Sequence, residues 1–146
     1  MYPFYLELEL VKPVSDYFKK QGYSVKYEVR IGFCRADLVC FKQVDTIAVE
    51  LKLSNWKKAI VQAKNYQLGA DYVYIVFPMM KSYNVIRKAE NILKKEGIGL
   101  LVVNEKTTKV SEIIKPYKSK KKMGDLSKNN TKYKKRKQKY NKKGFF

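Results

Sequence analysis

Residues 36–53 read Ala-Asp-Leu-Val-Cys-Phe-Lys-Gln-Val-Asp-Thr-Ile-Ala-Val-Glu-Leu-Lys-Leu. Two apolar runs, Ala36 to Phe41 and Thr46 to Leu53, flank the short segment Lys42-Gln43-Val44-Asp45, which is the pattern of two strands joined in a hairpin. Both runs carry charge: Asp37 opens the first, and Glu50 and Lys52 interrupt the second. A charge in mid-strand is costly unless it is paired, solvated or metal-bound. Glu50 and Lys52 are two residues apart and therefore share one face of their strand. A two-residue turn at Gln43-Val44 would set Asp37 opposite Glu50, and a four-residue turn would set it opposite Lys52. Either register gathers the three groups on one face. Two converging carboxylates repel each other and invite a hard divalent cation, with Lys52 adding positive charge beside it. The bland alternative is an ion pair between Lys52 and one of the acids on a solvated sheet face.

Working outward, Tyr5 to Lys20 reads as a helix with Leu6, Leu10, Val14, Tyr17 and Phe18 on one side. Pro13 either lies in the first turn of a helix starting near Glu9 or kinks a longer one, and Gly22 is a stop. Val25, Tyr27, Val29 and Ile31 alternate with polar residues, as in a half-buried strand. Beyond the hairpin, Ser54 is the predicted N-cap of a helix ended by Gly69, with Trp56, Ala59, Ile60 and Ala63 as its apolar stripe. Tyr72 to Phe77 is a buried strand closed by Pro78. Ser82 is the predicted cap of a further helix that turns Val85, Ile86, Ala89, Ile92 and Leu93 inward and stops at Gly97. Ile98 to Val103 follows as a buried strand, and Val110 to Ile114 as a short edge strand. The order αβββαβαβ predicts an α/β fold with a mixed central sheet and helices on both faces, in one domain over residues 1–117.

The chain has 146 residues, 32 of them Lys or Arg against 13 Asp or Glu, for a formal charge of +19. Residues 115–146 hold fourteen of those basic residues and a single acid, Asp125. Such an excess draws in polyanions, nucleic acid first and an anionic membrane second. From Lys118 onward the composition is low-complexity and is expected to be disordered alone. Lys120, Lys121, Lys122, Lys134, Lys135, Arg136 and Lys137 are candidate phosphate contacts, with Tyr117, Tyr133, Tyr140 and Phe145-Phe146 interleaved where they could stack on unpaired bases. A solubilising or targeting tail is the alternative. There is no histidine, which excludes Ser/His and Cys/His triads, His-bearing zinc sites and HNH-type nucleases. Cys34 and Cys40 read as reduced core residues rather than metal ligands. No Walker-type phosphate loop is present. Glu7 and Glu9 interrupt the apolar start, and no apolar run is long enough to span a membrane, so a cytoplasmic protein without a membrane partner is expected.

Asp37, followed in the next strand by Glu50-Leu51-Lys52, resembles the motif of the PD-(D/E)xK, or restriction-endonuclease-like, nuclease superfamily. The αβββαβ order from Tyr5 to Phe77 is similar to that superfamily's common core. Gln62-Ala-Lys-Asn-Tyr66 on the next helix resembles the Q-x-x-x-Y of its RecB-type members, and Glu9 falls where many members carry an additional acid. Archaeal Holliday-junction resolvases and small stand-alone RecB-like nucleases are similar in size and motif spacing. The resemblance implies that Asp37 and Glu50 are ligands for Mg²⁺ or Mn²⁺, joined by the Leu51 carbonyl. It makes Lys52 the catalytic lysine and Glu9 an accessory acid, with Glu7 as its competitor. Gln62 and Tyr66 would position DNA or the site. Ala36 replaces the proline of the P-D pair, a departure that lowers the motif's specificity. The implied function is metal-dependent hydrolysis of phosphodiester bonds in DNA, with junction or branched DNA as one candidate substrate and a homodimer where two strands are to be cut symmetrically. The competing reading is a nucleic-acid-binding protein that kept the fold and does not cleave. Membrane-surface or scaffold binding through the tail is the third.

Overall fold

The structure, a computed structural model, describes residues 4–123. A 3-10 turn, Glu7–Leu10, runs directly into helix α1, Val11–Lys20. Pro13 is the third residue of α1. It lies within the first turn of α1, just past the junction with the 3-10 turn, where its fixed φ suits a helix start. Of the two readings of Pro13, the structure takes the later helix start.

Strands β1 (Ser24–Ile31), β2 (Cys34–Lys42) and β3 (Asp45–Leu51) form an antiparallel meander. Lys42 pairs with Asp45, so the hairpin turn is the two residues Gln43-Val44. Gln43 has φ 55; positive φ at the first central position belongs to the mirror-image turns that match strand twist. Helix α2 (Trp56–Tyr66) leads to β4 (Tyr72–Pro78), and α3 (Met79–Glu96) leads to β5 (Gly99–Val103) and β6 (Val110–Ile114). The six strands stand side by side in chain order, with β3, β4 and β5 parallel and β6 antiparallel at the edge. Because both parallel crossovers step in the same direction, right-handed connections place α2 and α3 on the same face.

Two apolar layers result. Ala59, Ile60 and Ala63 of α2 and Val85, Ala89 and Leu93 of α3 pack on Val39, Ala48, Val73 and Ile75. On the opposite face Leu10, Val14 and Phe18 pack on Leu38, Cys40, Val49, Tyr74 and Val76. The chain is therefore an α/β domain with an open, mixed, six-stranded sheet and helices on both faces.

Four details depart from the sequence expectation. The N-cap of α2 is Asn55, not Ser54: Asn55 takes φ 60 and its side chain accepts from Lys58 N at 3.2 Å, and an asparagine tolerates that left-handed conformation better than a serine. Helix α3 starts at Met79 rather than at Ser82, whose hydroxyl instead donates to Met79 O at 2.6 Å. The cap at this end comes from a distant loop, Glu105 Oε2 accepting from Met80 N at 2.9 Å. Ile92, expected inward, is 41% exposed. The alternation along β1 also breaks: Val25 packs on the α1 face and Tyr27 OH bonds Ser15 of α1, whereas Val29 and Ile31 pack under α2. Glu28, between them, has φ 54. A left-handed residue in mid-strand reverses the facing of the residues after it, as a bulge does.

The ordered body also runs past residue 117. Tyr117 N donates to Gly97 O, Ser119 N to Asp71 O and Met123 N to Leu68 O. Lys122 Nζ lies 3.0 Å from the buried Asp71, and Lys121 Nζ 3.1 Å from Glu96. Backbone bonds and ion pairs hold this strap, so no apolar period marked it in the sequence.

Candidate active site

The break at Glu28 faces Asp37. Strand β1 pairs with β2 at Tyr27–Leu38 and again at Val29–Ala36, with no ladder pair between. The β2–β3 ladder ends one step earlier, at Leu38–Val49, in the register that sets Asp37 beside Glu50. This is the two-residue-turn alternative. Released from both ladders, the Asp37 carboxylate turns to the end of β3, where Oδ2 accepts from Leu51 N at 2.7 Å.

Glu50 is 4% exposed and Lys52 8%, so this is not a pair on a solvated face. Glu50 Oε1 accepts from Tyr66 OH at 2.5 Å, and Oε2 lies 3.5 Å from Lys52 Nζ. Tyr66 OH also lies 3.0 Å from Arg35 O. One tyrosine on α2 therefore ties the β2 backbone to the β3 carboxylate. Tyr66 is fully buried; of the two tasks expected of it, it can position the site but cannot touch DNA. The acidity of its phenol is suppressed, first by burial and then by the Glu50 carboxylate.

The electrostatics of the two acids differ from those of a satisfied ion pair. Burial, and next the charge of Asp37, push the Glu50 carboxyl up to about 7. Burial also raises Asp37, the Leu51 amide opposes that, and the charge of Glu7 raises it further. Lys52 lowers both but does not cancel the excess. Two carboxylates that each resist ionisation mark a place where added positive charge would be stabilised.

Glu9 is not part of this group. Its Oε1 accepts from Tyr5 N and Leu6 N, each at 2.8 Å. Those two amides hold its carboxyl below the usual range. The acid whose charge reaches Asp37 is Glu7, the competitor of Glu9 for the accessory position. The 3-10 turn explains the exchange, since it phases the first residues differently from an α-helix begun at Tyr5. Gln62, one turn before Tyr66 on α2, is partly buried, and its Oε1 has no hydrogen-bond partner among the described residues.

Among the described residues no cluster of three or more His, Cys, Asp or Glu is built to hold a metal. Asp37 and Glu50 alone do not make a zinc site, which takes three or four protein ligands. They do suit Mg²⁺, which commonly binds through one or two carboxylates and leaves its other positions to water and substrate phosphate. Both cysteines are free, and burial pushes the Cys40 thiol up to about 12, which leaves it no nucleophilic role at neutral pH.

Of the basic residues singled out in the sequence, Lys120 is exposed, whereas Lys121 and Lys122 are engaged with Glu96 and Asp71. Those two serve first as tethers of the strap. Lys134, Lys135, Arg136 and Lys137 lie outside the described residues. No helix among the described residues is long and apolar enough to cross a membrane.

No family model and no curated protein matches the chain. Among solved structures, SPO1766, a protein of unknown function from Silicibacter pomeroyi, is similar at a TM-score of 0.64 and 14% identity, over 94% of this chain and 92% of that one. At that identity the likeness is one of fold, and it extends over nearly the whole of both chains.

Proposed function

We propose that this domain is a divalent-metal-dependent nuclease that hydrolyses phosphodiester bonds of DNA, with residues 5–78 as a restriction-endonuclease-like αβββαβ core and β5 and β6 added at its edge. The observation that carries the reading is the pair of acids, half-buried Asp37 and buried Glu50, both resisting ionisation, with Lys52 3.5 Å from Glu50.

In this reading Asp37 and Glu50 hold Mg²⁺ or Mn²⁺, with the Leu51 carbonyl as a further oxygen donor and the charge of Glu7 adding to the negative field around Asp37. A cation held there would supply Lewis-acid polarisation of a phosphoryl oxygen and a more acidic bound water. The chain supplies the rest. The Leu51 amide fixes the Oδ2 of Asp37, and Tyr66 fixes the Oε1 of Glu50, so neither carboxylate has to reorganise when substrate arrives. Lys52 presents its ammonium where negative charge builds on the phosphate and orients the attacking water. The net +19 of the chain concentrates the polyanion around the site.

The test is incubation of the full chain with labelled branched, duplex and single-stranded DNA and with RNA, in Mg²⁺ and in EDTA. Cleavage in Mg²⁺ and none in EDTA supports the reading. Binding with no cleavage of any substrate overturns it in favour of a catalytically silent nucleic-acid-binding protein. The observation on that side is the Lys52–Glu50 ion pair itself, which partly neutralises the site without a metal.

A further inference from the structure

One residue beyond Lys52 in the chain begins the lining of a cleft of about 780 Å³ at the carboxyl ends of β3 and β4. This volume lies within the range of ligand pockets, roughly 300–1,000 Å³. Leu53 lines it from the loop after β3, Phe77 from β4, Trp56 from the start of α2, and Lys81, Tyr83 and Arg87 from the first turns of α3. Among the described residues no Asp or Glu lines it. Tyr83 is 77% exposed, and Lys57 Nζ stands 5.7 Å from the centre of the Trp56 ring. Continuity with the carboxylate site comes through the backbone: Lys52 N bonds Val76 O at 2.9 Å, and the residues that follow them, Leu53 and Phe77, line the cleft.

Aromatic faces between cations, with no acid among them, match one chemistry: flat bases strung on a phosphate chain. A base inside a duplex is already stacked and paired, so its face is not available to Trp56 or Tyr83; an unpaired base offers it. The geometry points to a single-stranded nucleic-acid groove, in which Trp56 and Tyr83 stack bases of an unpaired strand while Lys81 and Arg87 neutralise its phosphates. The inference rests on the nuclease reading in one respect only, that the same strand continues to the Asp37–Glu50 site. It sharpens that reading by naming the substrate as single-stranded or locally unpaired.

Trp56 is the sole tryptophan of the chain, so tryptophan fluorescence comes from one residue, set between the core under α2 and α3 and the cleft. The experiment titrates the full chain in EDTA with a thymidine oligomer, with an abasic oligomer of equal length, and with a blunt duplex. The oligomer is expected to quench Trp56 saturably. The abasic strand and Tyr83→Ala should each weaken the apparent affinity by at least about fivefold, the weak end of base–aromatic stacking. Equal quenching by abasic strand, duplex and oligomer, or no change with Tyr83→Ala, would overturn the groove. The exposure of Tyr83 makes that variant a safe one for folding. Base-dependent quenching without Mg²⁺-dependent cleavage keeps the groove and removes the nuclease reading; cleavage without base-dependent quenching does the reverse.

Discussion

Replacing Glu50 by Gln removes one negative charge from a place that disfavours it, and the consequence for stability has a definite sign. A free glutamate titrates near 4.5, whereas burial and the charge of Asp37 hold Glu50 up to about 7. Its folded-state pKa is raised, so the folded domain holds this proton more tightly than the unfolded chain does. The stability associated with that proton is fully present below pH 4.5, drains away as the pH rises to about 7 and stays lost above it. The bias against the ionised form is about 3 kcal/mol at most, and about 1–3 kcal/mol once screening at the solvent-facing mouth is allowed for. Glutamine mimics the protonated acid and keeps an oxygen for the Tyr66 hydroxyl. Without divalent metal, Glu50→Gln should therefore melt above wild type at pH 8, by up to roughly 10 °C for a domain of this size, and the two should converge near pH 4.5. Adding Mg²⁺ should raise the wild-type melting temperature and leave the variant's unchanged, because only the wild type binds it. The assay is thermal unfolding at pH 4.5, 6 and 8, with Mg²⁺ and with EDTA. If Glu50→Gln melts below wild type at pH 8 in EDTA, the Glu50 charge is a structural partner of Lys52 and the reasoning fails.

Tyr66→Phe removes the hydroxyl that holds Glu50 Oε1 and reaches the Arg35 carbonyl; cleavage should drop by about 10- to 100-fold, as for other groups that orient a metal ligand, measured as single-turnover rate against Mn²⁺ concentration. Truncation after Met123 should leave the melting temperature intact and reduce the salt slope of DNA binding by about 0.9 for each phosphate that the shortened chain no longer neutralises. Truncation after Tyr117 should also destabilise the domain, because it removes the Ser119 and Lys122 bonds to Gln67 and Asp71. Gly32→Ala should destabilise by about 1–3 kcal/mol in a denaturant titration, since Gly32 has φ 60 and an added Cβ would stand 2.4 Å from Asn65 Oδ1.

The element order and the facing of Asp37, Glu50 and Lys52 were legible because they depend on short-range periodicity. Apolar runs of five to eight residues between turn signals identify strands, and the strict period of two puts Glu50 and Lys52 on one face whatever the rest of the chain does. The features that stayed hidden depend on residues far apart in sequence or on backbone conformations that no composition announces. Glu105 caps α3 across 25 residues. Glu28 adopts φ 54 although its side chain gives no warning of it. That one residue turns Val29 and Ile31 toward α2 beside the point where Asp37 leaves the ladder. The exchange of Glu9 for Glu7 has the same origin, because a 3-10 turn and an α-helix carry the same residues on different phases. The strap to Met123 was invisible for another reason: lysines and serines can tie a segment down by backbone bonds and ion pairs without any apolar pattern.

The rate of Mg²⁺-dependent cleavage, measured side by side for wild type, Asp37→Asn and Lys52→Ala on one labelled substrate, tests the central claim most directly. Wild type is predicted to cleave, and both variants to lose at least about 100-fold, the scale expected when a metal ligand or a charge-stabilising cation is removed. Both should still bind the substrate in EDTA, and Asp37→Asn more tightly, because a negative charge facing the phosphates is gone. Cleavage by Asp37→Asn at the wild-type rate would contradict the claim and place the chemistry somewhere other than this pair of strands.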